Sequence, residues 1–192
     1  MADSAPTAMR QGLLKRNPQM TRQQFSDHWY TKHAALVVPL FLDSGISNYS
    51  QLHNPVAVDP ALDVSEYDGV ANVPSDEALA EMARPKKDGE GDAPWREQYY
   101  REVVLADERR FLESEALNHI KIVDGGSVVG ETKVVIEDGK VLIDVPDDVW
   151  KVWQENRDLG IILTTPGYHS FKSQLRRCFV PWDFEALLRA AF

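Results

Sequence analysis

Residues 21–40, TRQQFSDHWYTKHAALVVPL, read as one amphipathic helix that lays an apolar stripe against a core. Phe25, Trp29, Leu36 and Leu40 recur at helical spacing and mark the stripe. Thr21 followed by Gln24 is a capping-box signature and sets the start, while Pro39 and Gly45 set the end. His33 lies four residues after Trp29 on the same stripe. A titratable ring on a buried face needs a partner or a task. Residues 99–112 repeat the pattern: Tyr100, Val103, Val104 and Phe111 form a second stripe, and Asp107 lies on it. Two helices that each turn one acid/base group inward imply a pocket between them.

Outward from this helix the chain alternates. Residues 9–15 read as a strand closed by Asn17-Pro18, residues 46–52 as a second, and residues 54–64, with Pro55 and Pro60, as a loop. A third strand comes next over 66–73, then a helix over 75–83, a loop rich in Lys, Asp and Gly over 85–94, the long helix over 95–113, and a fourth strand over 118–123. The order β-α-β, then β-α-α-β, predicts an α+β domain over 1–125 of the ferredoxin-like, split βαβ kind, with helices on one face of a sheet. A C-terminal extension over 126–192 carries a hairpin around Asp138-Gly139, a helix over 147–155, a turn at 165–167 and a last helix over 182–191. It is expected to pack on the same domain or on a dimer partner.

Composition excludes several classes. The net charge of −9 and the lack of a basic block argue against nucleic acid or an anionic membrane as partner. Cys178 is the only cysteine, so no disulfide or cysteine-based metal site forms within one chain. No apolar run nears the ~20 residues that span a bilayer, and residues 1–7 lack a signal-peptide layout; a cytoplasmic protein is expected. His28 and His33, five apart, are poorly spaced as two ligands on one α-helical face. Phosphate loops, dinucleotide fingerprints and Gly-x-Ser-x-Gly elbows are missing. Neither a metal nor a cofactor is therefore expected.

The run Leu13-Leu14-Lys15-Arg16-Asn17-Pro18, then Phe25, Trp29 and His33-Ala34, resembles the opening of EthD-domain proteins. Tyr67-Asp68-Gly69-Val70 is similar to that family's third strand, and Asp107-Glu108-Arg109-Arg110-Phe111 to the acidic segment before its last strand. Order and spacing agree over residues 9–123. The resemblance implies a dimeric α+β barrel, in which two ferredoxin-like protomers pair as a homodimer and each encloses a pocket. Within that fold the pattern looks most like fungal polyketide-pathway members, including decarboxylases of anthraquinone precursors such as atrochrysone carboxylic acid. The activity this resemblance implies is that of a cofactor-free lyase acting on an aromatic polyketide acid. Alternatives in the same fold are an anthrone-type oxygenase or a cyclase/dehydratase, and outside catalysis a small-molecule binding protein.

His33 leads the candidates as general acid/base, since imidazole exchanges protons near neutral pH; otherwise it is a satisfied core histidine. Asp107 would orient His33 or act as the acid, unless it only pairs with an arginine, and Glu108 reads as a surface or pairing residue. Tyr49 and His53 share a strand face with Gln51 and would hold substrate oxygens if that face lines the pocket. His119, on the fourth strand beside Lys121, is either polar lining or exposed. Trp29 and Tyr100 supply aromatic surface for a planar ligand, or simply core. His28 falls near the helix edge, and His169 has no assignment.

Overall fold

The computed structural model describes residues 9–74 and 94–164. The expected helices at 75–83 and 182–191, the loop over 85–93, the turn at 165–167, His169 and Cys178 lie outside the described residues.

Among the described residues six strands form one antiparallel sheet: β1 (Met9–Leu14), β2 (Tyr49–Ala57), β3 (Gly69–Pro74), β4 (Lys121–Asp124), β5 (Val128–Glu137) and β6 (Lys140–Val141). Their order is β4-β1-β3-β2-β5-β6. The first four are arranged as in a ferredoxin-like sheet, with β3 between β1 and β2 as a split βαβ unit requires. β5 pairs along β2, with Leu52 opposite Thr132. The residues beyond 125 thus begin by widening this same sheet. The Asp138-Gly139 turn is the expected hairpin, with φ of 48° and 76° at its two residues, the left-handed pair that a two-residue loop needs.

Four helices accompany the sheet among the described residues: α1 (22–43), α2 (94–111), α3 (Ala116–His119) and α4 (Asp147–Thr164). Strand alternation sorts the sheet's side chains between two faces. Leu14, Tyr49 and Ala71 meet α1 and α2, packing with Phe25, Trp29, Val38, Tyr99 and Phe111. Leu13, Leu52, Val70 and Val128 point the other way, where Leu62, Val64 and Tyr67 of the 58–68 loop lie against them. α4 joins the helix layer through Trp153, whose ring meets Trp95 at 4.7 Å and Tyr99 at 4.9 Å edge-on.

Several elements differ from expectation, among them the helix expected over 147–155, which runs on to Thr164. Pro39 sits inside α1 instead of ending it; a proline removes one helical hydrogen bond, and burial of Val37, Val38 and Pro39 offsets that loss. The helix stops at Asp43, before Gly45 at φ 81°. β2 continues through Pro55 to Ala57, in place of the expected loop. Its register shifts between His53 and Val56, with Asn54 at φ 53°, and in that bulge Pro55 need not donate to the ladder. The expected strand over 118–123 is instead the single turn α3 followed by the short β4. The buried Glu108 carboxylate accepts the Ala116 N–H at 2.9 Å and so holds the start of that turn.

Candidate active site

α1 is not uniformly α-helical. Its capping box is present: Thr21 Oγ1 accepts from the Gln24 N–H at 3.2 Å and Gln24 Oε1 from the Thr21 N–H at 2.8 Å. After one α-helical stretch the backbone widens into a π-helical turn over Trp29–His33, where the Ala34 N–H reaches back five residues to the Trp29 carbonyl. α2 carries a matching π turn over Tyr100–Val104. In an α-helix, residues five apart diverge by about 140°. The wider turn brings His28 and His33 onto one face.

That face meets Asp107. His28 Nε2 lies 3.0 and 3.1 Å from the two carboxylate oxygens, and His33 Nδ1 lies 3.1 Å from Oδ2. One carboxylate thus holds two imidazoles. Phe111, one turn after Asp107, flanks both rings, at 5.1 Å from His28 and 4.7 Å from His33. Burial pushes the Asp107 carboxyl up, but the hydrogen bonds and charges of His28 and His33 outweigh it and hold the group well below the usual carboxylate range. The side chains of His33 and Asp107 are each 7% exposed, against 15% for His28. His28 also lines an open groove of about 360 Å³ with Met20, Gln24, Asp27, Thr31 and Lys32. The inward groups of the two helices therefore meet each other directly, and solvent reaches them at His28.

The relative position of the two helices is fixed by the segments on either side. The Asn17 N–H donates to the Phe111 carbonyl at 2.7 Å, and Arg16 bridges to Leu112. Arg16 and Arg22 both pair with Asp68, at 3.2 and 3.0 Å. The Lys15-Arg16-Asn17, Asp68 and Asp107–Phe111 segments thus form one clamp around the end of α2.

A family model for the EthD domain matches residues 17–115. The chain belongs to the EthD-domain family. Neither curated proteins nor solved structures gave a significant match. The EthD match takes in α1 with both histidines, the strands β2 and β3, and α2 with Asp107.

Tyr49 and His53 do share a face with Gln51, and it is the face beneath α1. His53 is 1% exposed, Gln51 0% and Tyr49 4%. Gln51 Nε2 donates to the Trp29 carbonyl at 3.2 Å and to the Tyr49 hydroxyl at 3.1 Å. Burial pushes the Tyr49 phenol up to about 12, with the Gln51 hydrogen bond opposing. Trp29 is 1% exposed and packs between Phe25 and His53, a core position. Tyr100 is half-buried in the π turn of α2, where burial and then the charges of Glu108 and Glu115 raise its phenol. His119 departs from expectation: it ends α3, accepts the Lys15 N–H on Nε2 at 3.1 Å and bonds Ser114 Oγ through Nδ1 at 2.8 Å. It braces β1 and stands apart from the Asp107 cluster. Glu108, expected as a surface or pairing residue, is 6% exposed and pairs with the Ala116 N–H; burial raises its carboxyl. Among the described residues no group of three or more His, Cys, Asp or Glu side chains could hold a metal ion, and no helix is long and apolar enough to cross a membrane.

His53 gives a pH prediction. Burial, then the Lys133 charge, lowers its imidazole to about 4, with Asp27 opposing. In the unfolded chain the ring titrates near 6.5. The unfolded state thus binds the extra proton first, so the stabilising contribution of neutral His53 is complete above about pH 6.5 and is lost as pH falls toward 4. The thermal midpoint should decline over that window, and His53→Gln should flatten the decline. An equal slope in the variant would assign the acid sensitivity elsewhere.

Proposed function

We propose that this protein is a cofactor-independent lyase of the decarboxylase type, acting on an aromatic polyketide acid, with the His28–Asp107–His33 unit as its acid/base. The observation that carries the reading is the single buried carboxylate holding two imidazoles, one of which lines the groove. The substrate class rests on the likeness to polyketide-pathway members of the family.

Loss of carbon dioxide from a β-keto acid leaves an enolate whose carbon needs a proton. Imidazolium at His28 supplies it, and the Asp107 carboxylate stabilises that cation while staying ionised. Asp107 also orients the ring, as a buried carboxylate does for a catalytic histidine. His33, on the other side of Asp107, fixes the carboxylate's direction. The catalytic role expected for His33 thus moves to His28, and His33 becomes the positioning residue.

The test is incubation of the purified protein, without added cofactor, with anthrone- and anthraquinone-type β-keto acids, in air and anaerobically, followed by mass spectrometry. The expected result is oxygen-independent loss of carbon dioxide, falling about 100-fold or more in His28→Ala and less in His33→Gln. A product that gains oxygen only in air would replace this reading with a cofactor-free oxygenase, and loss of water with a dehydratase. Tight binding without turnover would make the protein a carrier.

A further inference from the structure

Beneath α1, on the side away from Asp107, a second hydrogen-bonded chain takes no part in the reaction above. Lys133 Nζ on β5 donates to Ser26 Oγ on α1 at 3.1 Å. Ser26 Oγ lies 2.7 Å from His53 Nδ1, and His53 Nε2 lies 3.2 Å from Gln51 Oε1. The proton positions are set by elimination. The Trp29 carbonyl only accepts, so the Gln51 group that bonds it is the amide NH2, and Gln51 Oε1 faces His53. His53 Nε2 must then carry the hydrogen, which leaves Nδ1 as acceptor. The Ser26 hydroxyl donates to Nδ1, and its oxygen accepts from the Lys133 ammonium, which has no acceptor capacity. A serine proton aimed at a neutral imidazole, with the far nitrogen held by an amide oxygen, is the geometry of an activated hydroxyl nucleophile.

We infer that Ser26, with His53 as its base and Lys133 as its electrophilic partner, forms a second reactive centre that accepts acyl groups from activated esters. Ser26 is only partly buried and the Lys133 side chain is 20% exposed, so an acyl group approaches from the β5 side. Ser26 Oγ forms a bond to the acyl carbon while its proton passes to His53 Nδ1; burial and the Lys133 charge make that ring a weak base, so the transfer is concerted with bond formation and restricts the centre to activated esters. The Lys133 ammonium, 3.1 Å from the serine oxygen, is near enough to turn its N–H to the acyl carbonyl oxygen, on which the oxyanion develops, and to stabilise it. The carbon–oxygen bond to the leaving group then breaks; the aryloxide departs with the electron pair and takes the proton from His53. Water, losing a proton to the same nitrogen, attacks acyl-Ser26 and releases a carboxylic acid, restoring the hydroxyl. The Tyr30 ring, 5.2 Å from Lys133 Nζ and edge-on to His53 at 6.4 Å, adds an aromatic wall that suits an aryl ester. Glu131, 3.8 Å from Lys133 and 60% exposed, is its counter-ion.

The experiment uses the full-length protein and p-nitrophenyl acetate. A burst of nitrophenolate should accompany a mass gain of one acetyl group, and peptide mapping should locate it on Ser26. Ser26→Ala, a small change, should abolish burst and adduct while its circular dichroism matches wild type. Lys133→Met should slow acylation about 100-fold, and His53→Gln by at least as much. Acetylation of Lys133 instead of Ser26, an equal burst in Ser26→Ala, or no burst with the folded wild type would each overturn the assignment. Because the decarboxylation assay reads a different substrate and different residues, its outcome is independent of this one.

Discussion

Asp107→Asn should abolish the proposed turnover while leaving a folded protein, with a loss of roughly 10³–10⁴-fold in kcat. The amide keeps the size of the carboxylate and removes its charge and one of its two acceptor oxygens. Oδ2 now faces both rings and Oδ1 faces His28 alone; an amide oxygen in the Oδ2 place can keep both contacts, but its NH2 then confronts the His28 N–H. His28 then loses the anion that orients it and stabilises its protonated form. Stability should fall by about 3 kcal/mol, the order expected when a buried charged hydrogen bond is broken at one partner. The variant also has a pH signature. The folded Asp107 titrates below its unfolded value, so its contribution is complete above about pH 4 and is lost as pH falls further. The wild-type thermal midpoint should drop over that acid range, and Asp107→Asn should lack this component. Unchanged turnover in a folded variant would remove the carboxylate from the mechanism.

The split βαβ core was legible because its cues are local: the capping box at Thr21, the Asn17-Pro18 stop after β1, and Asp138-Gly139 before a second strand. His33 and Asp107 were legible for the same reason, as polar groups on apolar stripes, and they do meet. His28 was not. Its place on the stripe depends on a π turn, and a spacing of five counts as misaligned when the helix is assumed regular. The signal available was the pair itself, two histidines five apart on a helix that faces an inward Asp. Ser26 and Lys133 had no such signal, since they are 107 positions apart in sequence and meet only because β5 pairs with β2 beneath α1. Glu108 was legible only as a surface or pairing residue; its burial comes from α3, which folds back to supply it with a donor. At Ser26, Lys133 and Glu108 tertiary closure outweighed local pattern, whereas at His28 a local departure from the regular helix did.

Trp29→Ala should produce the largest loss of stability of any single truncation around the site, about 3–5 kcal/mol, a large fraction of the 5–15 kcal/mol typical of a domain. The thermal midpoint should fall by roughly 10 °C. The indole is 1% exposed, lies 5.4 Å from the Phe25 ring and 5.0 Å from His53, and begins the π turn that aligns the two histidines. The sheet beneath it cannot refill the space, because the facing residue is Gly69. A Cβ there would stand 2.5 Å from the Trp29 ring and 3.0 Å from Phe25. Gly69→Ala alone should therefore cost about 1–3 kcal/mol through overpacking. The two changes should not add. With the indole gone the closest clash goes too, and the new methyl occupies part of the cavity, so the double variant should be more stable than the sum of the singles by about 1 kcal/mol or more. A denaturation cycle over the four proteins measures this coupling. Additivity within about 0.5 kcal/mol would mean that Trp29 and Gly69 do not pack as partners, and that the indole's contribution arises from its contacts within the helix layer.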